Sequence, residues 1–226
     1  MPFYSIAIDG PSGAGKSSMA KIIAEKYGFI YVDTGAIYRT VGLAAYRREI
    51  PCKDEEKVAK LLPKLDIEMK YNASGEHRMY LDGEDVSSEI RLPEISICAS
   101  DVSSLPAVRA FLLEMQRSMA KKNSVVMDGR DIGTVVLPNA DLKLFLTASS
   151  EARAQRRLLQ LKEKGIDSKF EDVLKDIEYR DKQDSGRDVA PLRPAEDSVM
   201  VDTSNLGIEE TIALLSSIVE EKLALG

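Results

Sequence analysis

The run Gly10-Pro11-Ser12-Gly13-Ala14-Gly15-Lys16-Ser17 fits the phosphate-loop pattern G-x-x-x-x-G-K-[ST]. Glycines at those places let the backbone curl so that successive N–H groups converge on an anion, and the helix that follows adds the positive end of its dipole. Lys16 then reaches the β- and γ-phosphates of a nucleoside triphosphate, and the Ser17 hydroxyl is a direct ligand for Mg²⁺. Further along, Asp33-Thr34-Gly35-Ala36-Ile37-Tyr38-Arg39 reads as the start of a helix capped by Thr34, with Tyr38 and Arg39 about one turn later. Asp128-Gly129-Arg130-Asp131 ends an apolar run, so the Asp128 carboxylate is placed to orient Mg²⁺ through water. Arg153, Arg156 and Arg157 share a helix, Arg153 and Arg157 on one face at i, i+4, and the stretch Tyr179 to Asp188 is densely charged with both signs. Two polyphosphates brought within a few ångströms in a low-dielectric cleft need several fixed cations, and planar guanidinium forks bind phosphate bidentately. Each cluster alone is also what a salt-bridged surface helix carries; it is their occurrence together after a phosphate loop that points to a two-phosphate site.

These groups need a scaffold. Short apolar runs at residues 4–9, 29–33, 124–128, 142–146 and 198–202 read as strands buried on both faces of a parallel sheet. Helical segments alternate with them, and the last, 208–225, repeats its apolar residues at Ile212, Leu215, Ile218, Val219 and Leu223. That alternation predicts an α/β three-layer core with right-handed crossovers. Residues 64–90 break the rhythm. Leu65, Ile67, Met69 and Tyr71 alternate with charged residues, a polar turn covers residues 72–76, a second strand covers 77–81, and Asp82-Gly83 marks another turn. Helices near 93–104 and 106–121 follow. An antiparallel insertion between early and central strands of such a core is placed to overhang the carboxyl ends of the strands, where ligands of open α/β sheets bind; its alternative is a decorative excursion.

Composition narrows the classes. The 226 residues suffice for one sizeable core, and the 44% apolar and 30% charged fractions are those of a soluble globular protein. A net charge of −6 argues against a general nucleic-acid binder. No apolar run approaches the length of a membrane span and no leader pattern precedes the first strand, so a cytoplasmic protein with no membrane partner is expected. Cys52 and Cys98 fit no metal-ligand spacing and read as separate thiols suited to a reducing compartment. The sole histidine, His77, falls beside a polar turn and reads as a solvated surface residue, which leaves the chemistry without a histidine base. No apolar stripe is left over once the core is assigned, which points to a monomer.

Four segments together resemble the bacterial-type cytidylate kinases of the nucleoside-monophosphate kinase group: residues 8–17, 33–39, Asp128-Gly129-Arg130-Asp131-Ile132-Gly133-Thr134-Val135-Val136, and Ala190-Pro191-Leu192. They span nearly the whole chain. The resemblance implies one P-loop kinase domain over residues 1–226, a P-loop NTPase core with a five-stranded parallel sheet. It also implies an inserted monophosphate-binding subdomain at 64–121 and a lid-like helical segment at 150–188. It implies transfer of the γ-phosphoryl group of ATP to CMP or dCMP with Mg²⁺. ATP contacts would fall on Gly10, Pro11, Ser12, Gly13, Ala14, Gly15, Lys16, Ser17, Ser18 and Arg153. Cytosine contacts would fall on Ser100, Arg109 and Asp131, with Arg187 close by, and contacts to the acceptor phosphate and sugar on Thr34, Tyr38, Arg39, Arg130, Arg180 and Asp184. Lys16, Arg39, Arg130, Arg157 and Arg180 would stabilise the transferred phosphoryl group. Thr34 departs from the family, in which serine is common at that place; the hydroxyl is kept.

The chemistry is coherent on its own terms. Cytosine offers an N4 donor beside N3 and O2 acceptors, so a carboxylate can accept from N4 while a guanidinium donates to N3 or O2; uracil reverses that edge. The acceptor also explains the missing base, because a phosphate monoester is already largely dianionic at neutral pH. Two other readings stay open: a P-loop kinase for another monophosphate or a small metabolite such as shikimate or dephospho-coenzyme A, and a GTPase-like switch. The switch lacks an N-K-x-D guanine-reading motif.

Overall fold

The computed structural model describes residues 3–71, 77–163 and 165–224. In chain order the elements begin with β1 (Ser5–Asp9), α1 (Lys16–Tyr27), β2 (Ile30–Asp33), α2 (Thr34–Arg47) and α3 (Glu55–Leu61). Then come β3 (Ile67–Tyr71), β4 (His77–Leu81), β5 (Glu84–Asp85), α4 (Pro93–Ser103) and α5 (Pro106–Lys122). β6 (Val125–Asp128), β7 (Leu142–Thr147), α6 (Ser150–Glu163), α7 (Phe170–Ser185), β8 (Val199–Asp202) and α8 (Ile208–Leu223) complete the chain. The elements group into two compact units, Met1–Tyr31 with Ala120–Gly226, and Val32–Met119.

The first unit is the α/β core. Its five-stranded sheet has the order β2-β6-β1-β7-β8. The five strands expected from the apolar runs form, each shifted by one residue at one end, as fraying and terminal hydrogen bonding dictate. β1 lies in the middle, parallel to β6 and β7, and its residues Ile6, Ala7 and Ile8 are wholly buried, which is why the run is apolar without alternation. Ile6 and Ile8 pack with Met19 and Ile23 of α1, while Leu215, Val219 and Leu223 of α8 join the same cluster. The register Ile8↔Asp128 and Asp9↔Phe145 brings the ends of β1, β6 and β7 level. Asp128 therefore lies beside Ile8, and Asp9 follows one residue later, where the phosphate loop begins. α6 and α7 pack on each other through a small separate cluster of Ala154, Val173 and Ile177.

The second unit packs α2, α4 and α5 with a three-stranded antiparallel sheet, β3-β4-β5. The alternating run pairs as expected, with Met69 opposite Met79, although the polar turn at 72–76 lies outside the described residues. Asp82 and Gly83, both at positive φ, form the tight turn that returns the chain into the short β5. α3 is an addition to the expected elements; Asp54 caps it by accepting from the Lys57 N–H, and Glu55 and Glu56 follow in its first turn.

Three local expectations are corrected here. Asp33, not Thr34, caps α2: its Oδ1 accepts the Ala36 N–H at 2.9 Å, and Thr34 is the first helical residue. Cys52 and Cys98 are joined as a disulfide, Cα–Cα 5.4 Å, because Cys52 lies just beyond α2 and α2 packs against α4, which carries Cys98. Their separation of 46 residues hid that proximity. The His77 side chain is only 7% exposed, with Nε2 3.9 Å from Asp33 Oδ2, so it is no solvated surface residue. Among the described residues no single helix is long and apolar enough to cross a membrane.

Candidate active site

The phosphate loop links β1 to α1. Gly10 has φ 144°, and a Cβ there would meet the Leu146 carbonyl oxygen at 1.9 Å, so only glycine lets the loop leave the sheet this way. Gly13 and Gly15 also sit at positive φ, and no side chain caps α1 at Gly15. Among the described residues the first N–H groups of α1 thus receive no side-chain cap from Gly15, which suits an anion cradle. Ala14 is buried beneath the loop, and Ser18 is exposed on the first turn of α1. Lys16 is buried, its ammonium donating to the Pro11 carbonyl at 2.7 Å. Burial, and then the charge of Arg130, press Lys16 down to about 7 against the pull of Asp128, Asp184 and Asp9.

Around the loop the first unit gathers its ionic residues. Asp128 accepts from the Ser17 hydroxyl at 2.8 Å and from the Tyr31 hydroxyl at 2.9 Å. Ser17 and Asp128 are therefore a matched pair of hard oxygen donors, as a Mg²⁺ site needs. Arg130 donates from Nε to Asp184 Oδ2 at 2.6 Å, and Arg187 donates to the other oxygen of the same carboxylate. Burial works to raise the Asp184 carboxyl, but Arg130 and Arg187 outweigh it and hold the group below its ordinary value. Arg180 donates to the Ser12 hydroxyl at 3.3 Å; burial, then the charges of Arg130 and Arg157, lower its pKa. Arg153 is buried and fully engaged: Nε on the Ala148 carbonyl, Nη1 on Ser12 O, and both Nη atoms on Asp181 at 3.0 and 2.5 Å. Arg157, one turn on, is exposed. Asp131 is buried at the entrance to a π-helical turn, Ile132–Val136. Such turns recur at functional sites.

The second unit presents another set. Asp33 holds Arg39 through Nη2 at 2.9 Å, while Arg39 Nε is buried with no partner among the described residues. Burial would raise the Asp33 carboxyl, but Arg39, the Ala36 N–H and His77 together lower it. Arg109 is buried, its guanidinium carbon 5.6 Å from the Tyr38 ring centroid and Nη1 donating to Ser103 O at 3.1 Å. Ser100 lies half-buried on α4, and its carbonyl accepts the Ser103 hydroxyl. Thr34 is buried at the start of α2.

The profile of the cytidylate kinase family matches residues 6–221. The chain belongs to the cytidylate kinase family. A cytidylate kinase of Caldicellulosiruptor bescii is 50% identical over 212 residues, 94% of this chain and 93% of that protein. One from Lactobacillus gasseri is 48% identical over 217 residues, covering 96% and 94%. In fold, the chain resembles the crystal structure of an uncharacterised protein from Eubacterium ventriosum, with TM-score 0.53 and 13% identity over 96% of this chain and 98% of the other. The α/β core with a five-stranded parallel sheet and a small antiparallel sheet, expected from the sequence, is the observed architecture of this family member.

Sequence reasoning missed the acidic partners of this family member's arginines. Asp33 pairs with Arg39 and Asp181 with Arg153, while Asp9, also unremarked, accepts the backbone N–H groups of Ile132 and Gly133. Asp33 had a readable signal, three residues before Ala36 at a helix start; Asp181 lay unremarked within a mixed-charge run.

Proposed function

We propose that the chain transfers the γ-phosphoryl group of ATP to CMP or dCMP, giving ADP and CDP or dCDP. The observation that carries this is the assembly, in a cytidylate kinase family chain, of Lys16, Arg130 and Arg180 with the phosphate loop. An oxygen of the acceptor phosphate attacks the γ-phosphorus, and the bond to the ADP oxygen breaks. No protein base is needed, since that phosphate oxygen carries charge at neutral pH. Lys16, Arg39, Arg130, Arg157 and Arg180 act by alignment and by countering charge on the transferring group. The loop from Gly10 to Ser18 holds the triphosphate, and Arg153 closes its edge. Ser17 directly, and Asp128 through water, would hold Mg²⁺, which when bound offsets the charge of the triphosphate oxygens.

For the acceptor, Asp131 accepts from cytosine N4 while Arg109 donates to its ring, with Ser100 and Arg187 beside them. The burial of each of the two, Arg109 in the second unit and Asp131 in the first, supports this, because a buried polar group left unmatched by uracil costs binding. Thr34, Tyr38, Arg39, Arg130, Arg180 and Asp184 take the phosphate and sugar; the unpartnered Nε of Arg39 is a donor in want of such an acceptor. Residues 64–121 form the acceptor-binding subdomain and 150–188 the lid, whose own small apolar cluster lets it move as a piece. We propose that the protein works as a monomer in the cytoplasm, where the Cys52–Cys98 bridge would be subject to reduction.

A coupled assay of diphosphate formation with ATP, Mg²⁺ and CMP, dCMP, UMP, AMP, GMP and dTMP tests the proposal. Turnover confined to CMP and dCMP is expected. Preferred turnover of another acceptor refutes the base assignment, and no turnover with any of them refutes the whole reading.

A further inference from the structure

Asp9 ends β1 immediately before the phosphate loop, yet its carboxylate serves neither the loop nor Lys16 by hydrogen bond. It is 5% exposed, and its two oxygens accept the N–H groups of Ile132 at 2.8 Å and Gly133 at 2.7 Å. Those are the first two N–H groups of the π-helical turn, which the turn's own bonds do not reach: the ladder begins with Val135 and Val136 donating to Asp131 O and Leu137 to Ile132 O. A remote strand thus supplies the cap that the local sequence lacks.

The residues just ahead of that cap are Arg130 and Asp131. On their other side, the Gly129 N–H donates to the Ile8 carbonyl at 3.0 Å. The Arg130-Asp131 segment is therefore held between two anchors on consecutive residues of the central strand, and Asp131 spans the gap with irregular backbone (φ −144°, ψ 26°). Gly133 sits between Lys143 and the carboxylate: a Cβ there would lie 3.1 Å from Lys143 Cδ and at ordinary contact distance, 3.4 Å, from Asp9 Oδ2. We propose that Asp9 is a positioning residue for the acceptor, fixing the Arg130-Asp131 segment through the Ile132 and Gly133 N–H groups without touching substrate. The inference rests on the acceptor roles proposed above for Arg130 and Asp131.

Asp9→Asn keeps the size of the side chain but turns an NH₂ toward one of the two N–H groups. Gly133→Ala leaves the carboxylate's charge and adds a Cβ 3.1 Å from Lys143 Cδ, so that Lys143 or the Gly133 N–H that Asp9 holds must give way by a few tenths of an ångström. Both are assayed for KM and kcat with CMP, UMP and ATP beside Asp131→Ala, after thermal unfolding has shown which are folded; if Asp9→Asn is not, Gly133→Ala decides. A displacement of the segment by a fraction of an ångström to an ångström is expected to raise KM for CMP by about 10- to 100-fold, with KM for ATP within about threefold. The preference for CMP over UMP should shrink by about tenfold or more, and Asp9→Asn in the Asp131→Ala background should shrink it no further. An unchanged KM for CMP, or a loss shared equally with ATP, overturns the inference and leaves Asp9 a structural residue of the loop. If Asp131→Ala itself keeps the CMP preference, the cytosine reading of Asp131 fails instead, and KM for CMP in the Asp9→Asn and Gly133→Ala variants alone decides for or against Asp9.

Discussion

Asp184→Ala is expected to destabilise the substrate-free protein by an amount that added phosphate then recovers. The Asp184 carboxylate is buried between Arg130 and Arg187, whose side chains are 27% and 7% exposed. Removing one member of a fully buried ion pair costs about 3–5 kcal/mol, since the other charge is left without compensation. Water reaches part of Arg130, which lowers the figure to about 2–4 kcal/mol. At about 2–4 °C per kcal/mol for a chain of this length, the melting temperature should fall by about 4–16 °C. An anion that binds the bared guanidinium groups restores stability in proportion to its saturation, about 2.7 kcal/mol at a hundredfold excess over its dissociation constant. Calorimetric unfolding with and without inorganic phosphate should therefore show a larger phosphate shift in the variant than in the parent. The pH dependence follows from the lowered pKa of Asp184. Its contribution is present above the unfolded value near 3.8 and is lost as pH falls through the lower folded value, so parent and variant should converge in strong acid. A fall of less than about 3 °C, or equal phosphate shifts in both proteins, would refute the view that Asp184 is the internal counter-ion of the arginine cluster.

Three further outcomes are expected. Ser17→Ala removes the hydroxyl that reaches Asp128 at 2.8 Å and should lower kcat/KM by about 100-fold or more while raising the Mg²⁺ concentration for half-maximal rate; an unaltered Mg²⁺ titration would separate Ser17 from the metal. Because Lys16 is pressed down to about 7 in the free protein, ATP binding at pH 8 should be accompanied by proton uptake, measured by calorimetry in buffers of different ionisation enthalpy; binding heats independent of the buffer would show that Lys16 is already charged. Reducing the Cys52–Cys98 bridge, or Cys52→Ser, releases a loop of 46-residue separation and should cost up to about 4 kcal/mol by the chain-entropy estimate, seen as a lower melting temperature in dithiothreitol; coincident curves would refute that contribution.

The parts of the fold that were legible in the sequence are those written in short-range periodicity. β1 and β6 carry unalternated apolar runs, Ile6-Ala7-Ile8 and Val125-Val126-Met127, because both faces are covered, the β3–β4 hairpin alternates because one face is not, and the phosphate loop carries its glycines where the chain turns on itself. What stayed illegible depends on pairings between distant residues. Arg153 and Asp181 are 28 residues apart, Arg130 and Asp184 are 54 apart, and Asp9 is 123 from Ile132. No local pattern says which carboxylate each guanidinium meets.

That blind spot has a physical cause. Arginines were readable because a two-phosphate site demands them, but a protein without its substrates must hold those cations in a partly dry cleft with something else. Burying an uncompensated guanidinium costs more than any single hydrogen bond returns. Asp184 and Asp181 meet that requirement from one helix, α7, set at i and i+3, one against Arg130 and Arg187 and the other against Arg153. A phosphate that enters competes with these carboxylates for the same donors, so anion binding and the hold of α7 on the cluster are opposed. The acidic side of the mixed-charge run from Tyr179 to Asp188 thus pairs with the arginine cluster, and under the proposed function it sets how tightly the arginines are held before either nucleotide arrives.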